Sequence, residues 1–197
     1  MKPVILALVA LFLSTSLSFA QEICLSPDER ELYNLLMEYR EEQGLPTIPL
    51  SSSLTKVAQM HTLDLLENRP FNDQCNMHSW SDQGEWDPCC YTKNHKNSKC
   101  AWSKAIELTD YEGYAYEIVA QLPHQVNRAR TAIRAWKKSS GHNRVMVNEG
   151  PWKSHHWNAV GIGISERYSA IWFGVLPDAS TQEVIDCPIE KPQTEEE

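Results

Sequence analysis

Apolar residues first fall into a helical rhythm at Leu32, Leu35, Leu36 and Tyr39, spaced so that they share one face. Upstream, Ser26-Pro27-Asp28-Glu29 carries a capping serine, a proline at the first helical position and a glutamate placed to close a capping box. Gly44 ends this helix and Pro46 keeps it from resuming. A second stripe, capped by Ser51 or Ser52, runs through Leu54, Val57, Ala58, His61 and Leu65. Because His61 shares that stripe, it reads as a packed, hydrogen-bonded core histidine rather than a ligand.

Residues 68–110 lose all periodicity and carry four cysteines together with Trp80, Trp86 and Trp102. A loop of that length in a compact domain is expected to be cross-linked or functional. A third helix is predicted over His124–Lys138, with Val126, Ala129, Ile133 and Trp136 on one face. His142, in "SSGHNRVMVN", follows its end beside a glycine and ahead of a short apolar run. A histidine so placed ordinarily sits in a solvated loop. Beyond a tryptophan-rich turn, "EGPWKSHHW", the runs Asn158–Ile164 and Ala170–Leu176 read as an antiparallel hairpin joined by Ser165-Glu166-Arg167-Tyr168. Gly161, Gly163 and Gly174 leave room there for close packing by a helix or a ligand. Helices and an antiparallel sheet in one domain make an α+β sandwich.

The first residues, MKPVILALVALFLSTSLSFA, place Lys2 before an apolar core and small residues, Ser18 and Ala20, before a cut. This is the pattern of a secretory signal peptide over residues 1–20. The run is too short and too interrupted for an anchor, which needs about 20 apolar residues. Expected, then, are an exported domain over 21–187, large enough for a real core, and an acidic solvated tail over 188–197, with no membrane span after cleavage. The formal charge is −8, which repels nucleic acid and removes it as a partner class. The six cysteines are Cys24, Cys75, Cys89, Cys90, Cys100 and Cys187. An even count in an exported chain predicts three disulfides. Zinc fits them less well, since there is no CxxC and Cys89 adjoins Cys90. Fifteen pairings are open. A Cys24–Cys187 bridge tying the termini is attractive, and the other four would staple a local loop.

Five stretches in order carry a resemblance: "LLMEYREEQGLPTIPLSSSLTKVAQMHTLDL", "MHSWS", "YEGYAYEIVA", "AIRAWKKSSGHNRVMVN" and "NAVGIGI…SAIWFG". Together they resemble the CAP superfamily of cysteine-rich secretory, antigen-five and pathogenesis-related group-one proteins, over about residues 26–176. The resemblance implies a three-layer α–β–α sandwich with a central antiparallel sheet, here with a disulfide-braced loop, and a central cleft. In many members that cleft holds two histidines and two glutamates, and a divalent metal, often zinc, can sit on the histidine pair. On the matching motifs His78 and His142 take the histidine positions and Glu117 that of the first glutamate. The second glutamate would follow the helix tryptophan by three positions, where this chain has Ser139 after Trp136.

Neutral imidazoles suit zinc, and a carboxylate can orient them from behind. Spacing alone does not join His78 to His142, and HExxH is absent. Trp80, two residues after His78, and Tyr116, beside Glu117, are expected to line the cleft with Glu117 and Ser139. Tyr114 belongs near them. Adjacent His155 and His156 diverge and suit a loop better than a shared ligand set. Ser139, His142 and Glu117 could be read as nucleophile, base and orienter, but no GxSxG elbow supports that. The function expected is a secreted, extracellular binding module, periplasmic or at the cell surface if the source is bacterial. Its cleft would hold a divalent metal such as zinc and bind a small apolar ligand, a sterol or lipid, or an extracellular protein. The alternative is a metal-assisted hydrolase on His78 and His142 with Glu117 as catalytic base; a third reading makes the trio a purely structural network.

Overall fold

The computed structural model describes residues 22–123 and 127–188. The signal peptide, the predicted start of the third helix at 124–126 and all of the acidic tail but Pro188 lie outside the described residues. In chain order the elements are β1 (Cys24–Leu25), α1 (Pro27–Glu42), α2 (Ser52–Glu67), α3 (Ser98–Trp102), α4 (Lys104–Leu108), β2 (Ala115–Gln121), α5 (Arg128–Lys138), α6 (Ser140–Met146), β3 (Ala159–Ser165), β4 (Tyr168–Gly174) and β5 (Ile185–Asp186), with a 3-10 turn at Gly150–Trp152.

The helix starts follow their caps. Ser26 Oγ accepts from the Glu29 amide at 3.3 Å, and the Glu29 carboxylate accepts from the Ser26 amide at 2.7 Å, closing the capping box. Ser51 caps α2 by accepting from the Leu54 amide at 2.9 Å. The main sheet has the order β2-β4-β3, antiparallel throughout. The hairpin turns tightly from Ser165 to Tyr168.

Alternation along the strands builds three layers. On one face Val119, Ala170 and Trp172 pack with Leu54, Val57, Ala58 and Leu65 of α2. On the other, Ile118, Ile162, Ile171 and Phe173 pack with Leu32 and Leu36 of α1 and with Ile133 and Trp136 of α5. Gly161 and Gly163 mark where α2 lies main chain to strand. A Cβ at either would strike the backbone of α2 at Leu54 or Ala58, so the space these glycines leave is filled by a helix.

The disulfides resolve the open pairing. Cys24–Cys187 clasps the parallel pair β1 and β5, while Cys75–Cys90 and Cys89–Cys100 fasten the long loop. That loop is less irregular than its sequence suggests. It holds α3 and α4 and two bridges, Cys75 with Thr92 and Trp80 with Cys89. A second departure concerns "SSGHNRVMVN". His142 lies within helix α6, and the apolar run after it is the helix's inner face, with Val145 and Met146 buried. Burial of those two side chains against α1 and α5 turns the expected loop into a helix.

Gly161→Val sets a side chain against helix main chain that cannot swing aside. The variant is expected to lose more than about 3 kcal/mol, the upper range for overpacking, read as a fall in the urea midpoint.

Candidate functional site

Two histidines and a glutamate from three parts of the chain meet at the start of β2. The side chain of Glu117 is 3% exposed, and its carboxylate accepts three hydrogen bonds. Oε1 takes one from His61 Nδ1 at 2.5 Å and one from Trp172 Nε1 at 2.9 Å; Oε2 takes one from His78 Nδ1 at 2.7 Å. The other nitrogen of His61, Nε2, lies 3.0 Å from the Ser79 carbonyl oxygen. A carboxylate and a carbonyl only accept, so both nitrogens of His61 carry protons and the ring is an imidazolium. Burial alone would lower the pKa of His61, but the Glu117 charge and hydrogen bond, with help from the Ser79 carbonyl, raise it. Burial alone would likewise raise Glu117; the charge and hydrogen bond of His61, and then His78, hold it down at about 2.

Each partner is held in place by its own element. The backbone contact between α2 and β3 fixes where the His61 ring emerges. Behind His61, Trp80 stacks at 4.4 Å between ring centroids with planes 10° apart. The expectation that Trp80 walls the cleft is therefore corrected: it is 2% exposed and sits behind His61. The physical reason is a turn between 76 and 79, where the Ser79 amide donates to Asn76 O at 3.1 Å. This turn breaks the period-two geometry that would have aimed residues 78 and 80 the same way. His78 is positioned by that turn, its amide donating to Asn76 Oδ1 at 2.9 Å. The loop behind it is pinned to α2, where Asp64 accepts from both the amide and the hydroxyl of Ser81.

His142 is half-buried on α6. That helix is anchored to α1 by Tyr39 Oη donating to Asn143 Oδ1 at 2.8 Å and by buried Arg40 donating to Met146 O at 2.6 Å. Trp157 Nε1 adds a bond to Val145 O at 2.9 Å. Burial, and then the charge of His78, lower the pKa of His142 against the opposing pull of Glu117. His142 thus stands in the field of both groups, with no hydrogen bond to either, and is neutral at neutral pH. Ser139 forms the junction of α5 and α6 and does not line the hollow described next.

Above Glu117 lies a cavity of about 60 Å³, walled by His78, Tyr91, Trp102, Tyr116, Trp152 and Trp172 among others. Tyr116 stands there as expected by position, with Trp102 and Trp152 about it at 5.1 and 5.0 Å between centroids. Tyr114 lies outside, 42% exposed. Of this set, the sequence reading left out Tyr91, Trp102, Trp152 and Trp172 as wall residues, and the bond from His61 to Glu117. A histidine on a buried stripe does signal that an acceptor waits for it. Among the described residues, no group of three or more His, Cys, Asp or Glu is arranged to hold a metal ion.

A disulfide-braced α–β–α sandwich with a histidine–glutamate centre defines a class of protein, and direct comparison agrees. The sequence profile of the cysteine-rich secretory protein family, CAP, matches residues 33–151, and the chain belongs to that family. Among solved structures it is similar to an extracellular protein of Bacillus anthracis that contains an SCP domain, with a TM-score of 0.52 and 18% identity over 74% of this chain. The match spans only 39% of that protein. An outer surface protein of Borrelia burgdorferi is also similar, with a TM-score of 0.49 and 17% identity over 75% of this chain and 91% of that one. No curated protein matches the chain.

The ion pair gives stability a two-sided pH dependence. Glu117, depressed from 4.5 to about 2, contributes fully above 4.5 and loses its contribution as pH falls toward 2. His61, raised above 6.5, contributes fully below 6.5 and loses its contribution as pH rises through its higher folded value. Glu117→Gln is expected to cost about 3–5 kcal/mol by stranding a buried cation and to flatten both limbs. Urea denaturation between pH 2 and 9 reads both effects.

Proposed function

We propose that this CAP domain is an exported binding module, and that a divalent cation sits on His78, which lines the hollow, and on His142, which does not line it but stands in the field of His78. The carrying observation is the bond from His78 Nδ1–H to buried Glu117. It fixes the tautomer and leaves Nε2, which has no hydrogen-bond partner among the described residues, with its lone pair free when the ring is neutral. Neutral His142 supplies a second imidazole of the right kind. A space of about 60 Å³ suits an ion with one or two waters, each of about 30 Å³. The donor set fits, but weakly, because Ser139 stands where many relatives bring a second carboxylate. When bound, the cation would supply a Lewis-acidic point for an anionic or carbonyl group of a ligand. Export is supported by the signal-like start, the three disulfides and the extracellular relative.

Two parts of the broader expectation gain less support. A sterol or lipid needs a pocket of about 300–1,000 Å³, so the hollow above Glu117 is too small for one. As a hydrolytic base, Glu117 would need a free oxygen facing water. Three donors already occupy its oxygens, which leaves at most one of about four lone-pair sites, on Oε2, for a water.

The test is cobalt and zinc titration by calorimetry and absorption. One ion per chain is expected, with His78→Ala or His142→Ala each weakening binding at least tenfold and Glu117→Gln weakening it about 10–100-fold. Equal binding by the wild type and by the double histidine variant would end the proposal.

A further inference from the structure

We propose that the hollow above Glu117 receives the ammonium end of a primary amine whose remainder is apolar or aromatic. The proposal rests on reading the domain as a binding module and goes beyond the ion: an ammonium and a dication are alternative occupants, since both would draw on His78. The walls carry the first argument. Tyr91, Trp102, Tyr116, Trp152 and Trp172 all line the hollow. Tyr116 meets Trp102 at 62° and Trp152 at 68°, with ring centroids 5.1 and 5.0 Å apart, so these walls turn corners instead of stacking on one another. Rings set around a small space in this way form an aromatic cage, whose chemistry is the attraction of a cation to ring faces.

The direction of the buried ion pair supplies the second argument. Glu117 lines the hollow, whereas His61 and Trp80 do not. The anionic end of the pair therefore faces the space and the imidazolium lies behind it. Among the described residues no lysine or arginine lines the hollow. The pair is neutral overall, so it suits a visitor of single charge, which costs less to desolvate than a dication. Hydrogen bonding then selects the kind of cation. Three donors leave Glu117 at most one lone-pair site, on Oε2, and Nε2 of His78 has no hydrogen-bond partner among the described residues. A primary ammonium brings three donors and no acceptor; a quaternary ammonium brings no donor at all.

Size points the same way. At about 30 Å³ for each water-sized group, a hollow of about 60 Å³ admits a methylene with its ammonium and excludes a trimethylammonium, which is about twice as large. The rest of the ligand lies outside. A second cavity, of about 450 Å³, shares Tyr116 with the hollow and is lined also by Tyr114, His155, Val175 and Leu176. That volume falls within the range of about 300–1,000 Å³ for small-molecule sites, and Tyr114 and Leu176 stand 42% and 43% exposed there. An apolar or aromatic tail covers this surface. A bare ammonium ion would leave it uncovered, and a fatty acid would set its carboxylate against Glu117.

The experiment titrates the full chain with phenethylamine by calorimetry in the presence of a chelator, beside the neutral isostere phenethyl alcohol and the N-trimethyl derivative. Expected are one saturable site for the amine and roughly tenfold weaker binding, or less, for both comparison compounds. Trp152→Leu is expected to weaken the amine roughly fivefold, and Trp152→Phe, which keeps a ring face, to recover most of that loss. Leu176→Ser, at the surface, should weaken phenethylamine but leave methylamine unaffected. No saturable binding of the amine, equal binding of the alcohol, or tighter binding of the trimethyl derivative overturns the proposal. Because the chelator removes metal, these outcomes leave the ion reading untouched, and cobalt titration of the histidine variants decides that one separately.

Discussion

A carboxylate buried in the middle of a small domain must be paid for in full, and the bonding of Glu117 shows how. An unpaired buried charge costs several kcal/mol; here an imidazolium neutralises it, and an indole and a second imidazole donate to it as well. The donors come from different parts of the fold. His61 rides on α2, Trp172 on the central strand, and His78 on a loop tied down by two disulfides. The three satisfy Glu117 together only if helix, sheet and loop are all in register. The backbone contact of α2 at Gly161 and Gly163 and the crossed pairing of adjacent cysteines serve the same end.

The division of labour between the histidines follows from charge. His61 supplies the positive charge that offsets Glu117, while His78 holds the other carboxylate oxygen through Nδ1 and leaves Nε2 without a hydrogen-bond partner among the described residues. The buried pair is neutral overall, so a dication at His78 and His142 would arrive uncompensated by any carboxylate in the hollow. Such a site binds an ion weakly on its own and more tightly with an anionic group from a ligand, since the ligand then supplies the missing charge.

Much of the scaffold was legible from the chain. Ser26 to Glu29 announced α1, the α2 stripe announced its face, and paired apolar runs announced the hairpin, because each signal is local. Strand β2 was not legible from periodicity. Its residues mix buried and half-buried positions on both faces, since one of them, Glu117, is a buried charge rather than an exposed polar residue. Helix α6 was hidden for a related reason: seven residues with a glycine form a helix only because Val145 and Met146 find α1 and α5 beneath them. At the site, resemblance marked His78, Glu117 and His142, but the fixing of Glu117 by His61 needs a contact across 56 residues, and Trp80 was misplaced because a turn reset its direction. Pattern reading sees which residues must be buried; it does not see what waits for them there.

What the molecule leaves unspent is informative in its own right. Catalysis by a carboxylate requires a lone pair facing substrate or water, and three donors leave Glu117 at most one of about four. The group at the hollow with bonding capacity in reserve is of another kind: Nε2 of His78, which has no hydrogen-bond partner among the described residues. It is held from behind by buried Glu117 and has no existing bond to break before engaging a visitor. Preorganised donors and acceptors of that sort favour binding, because the entropy of ordering them has been met by folding.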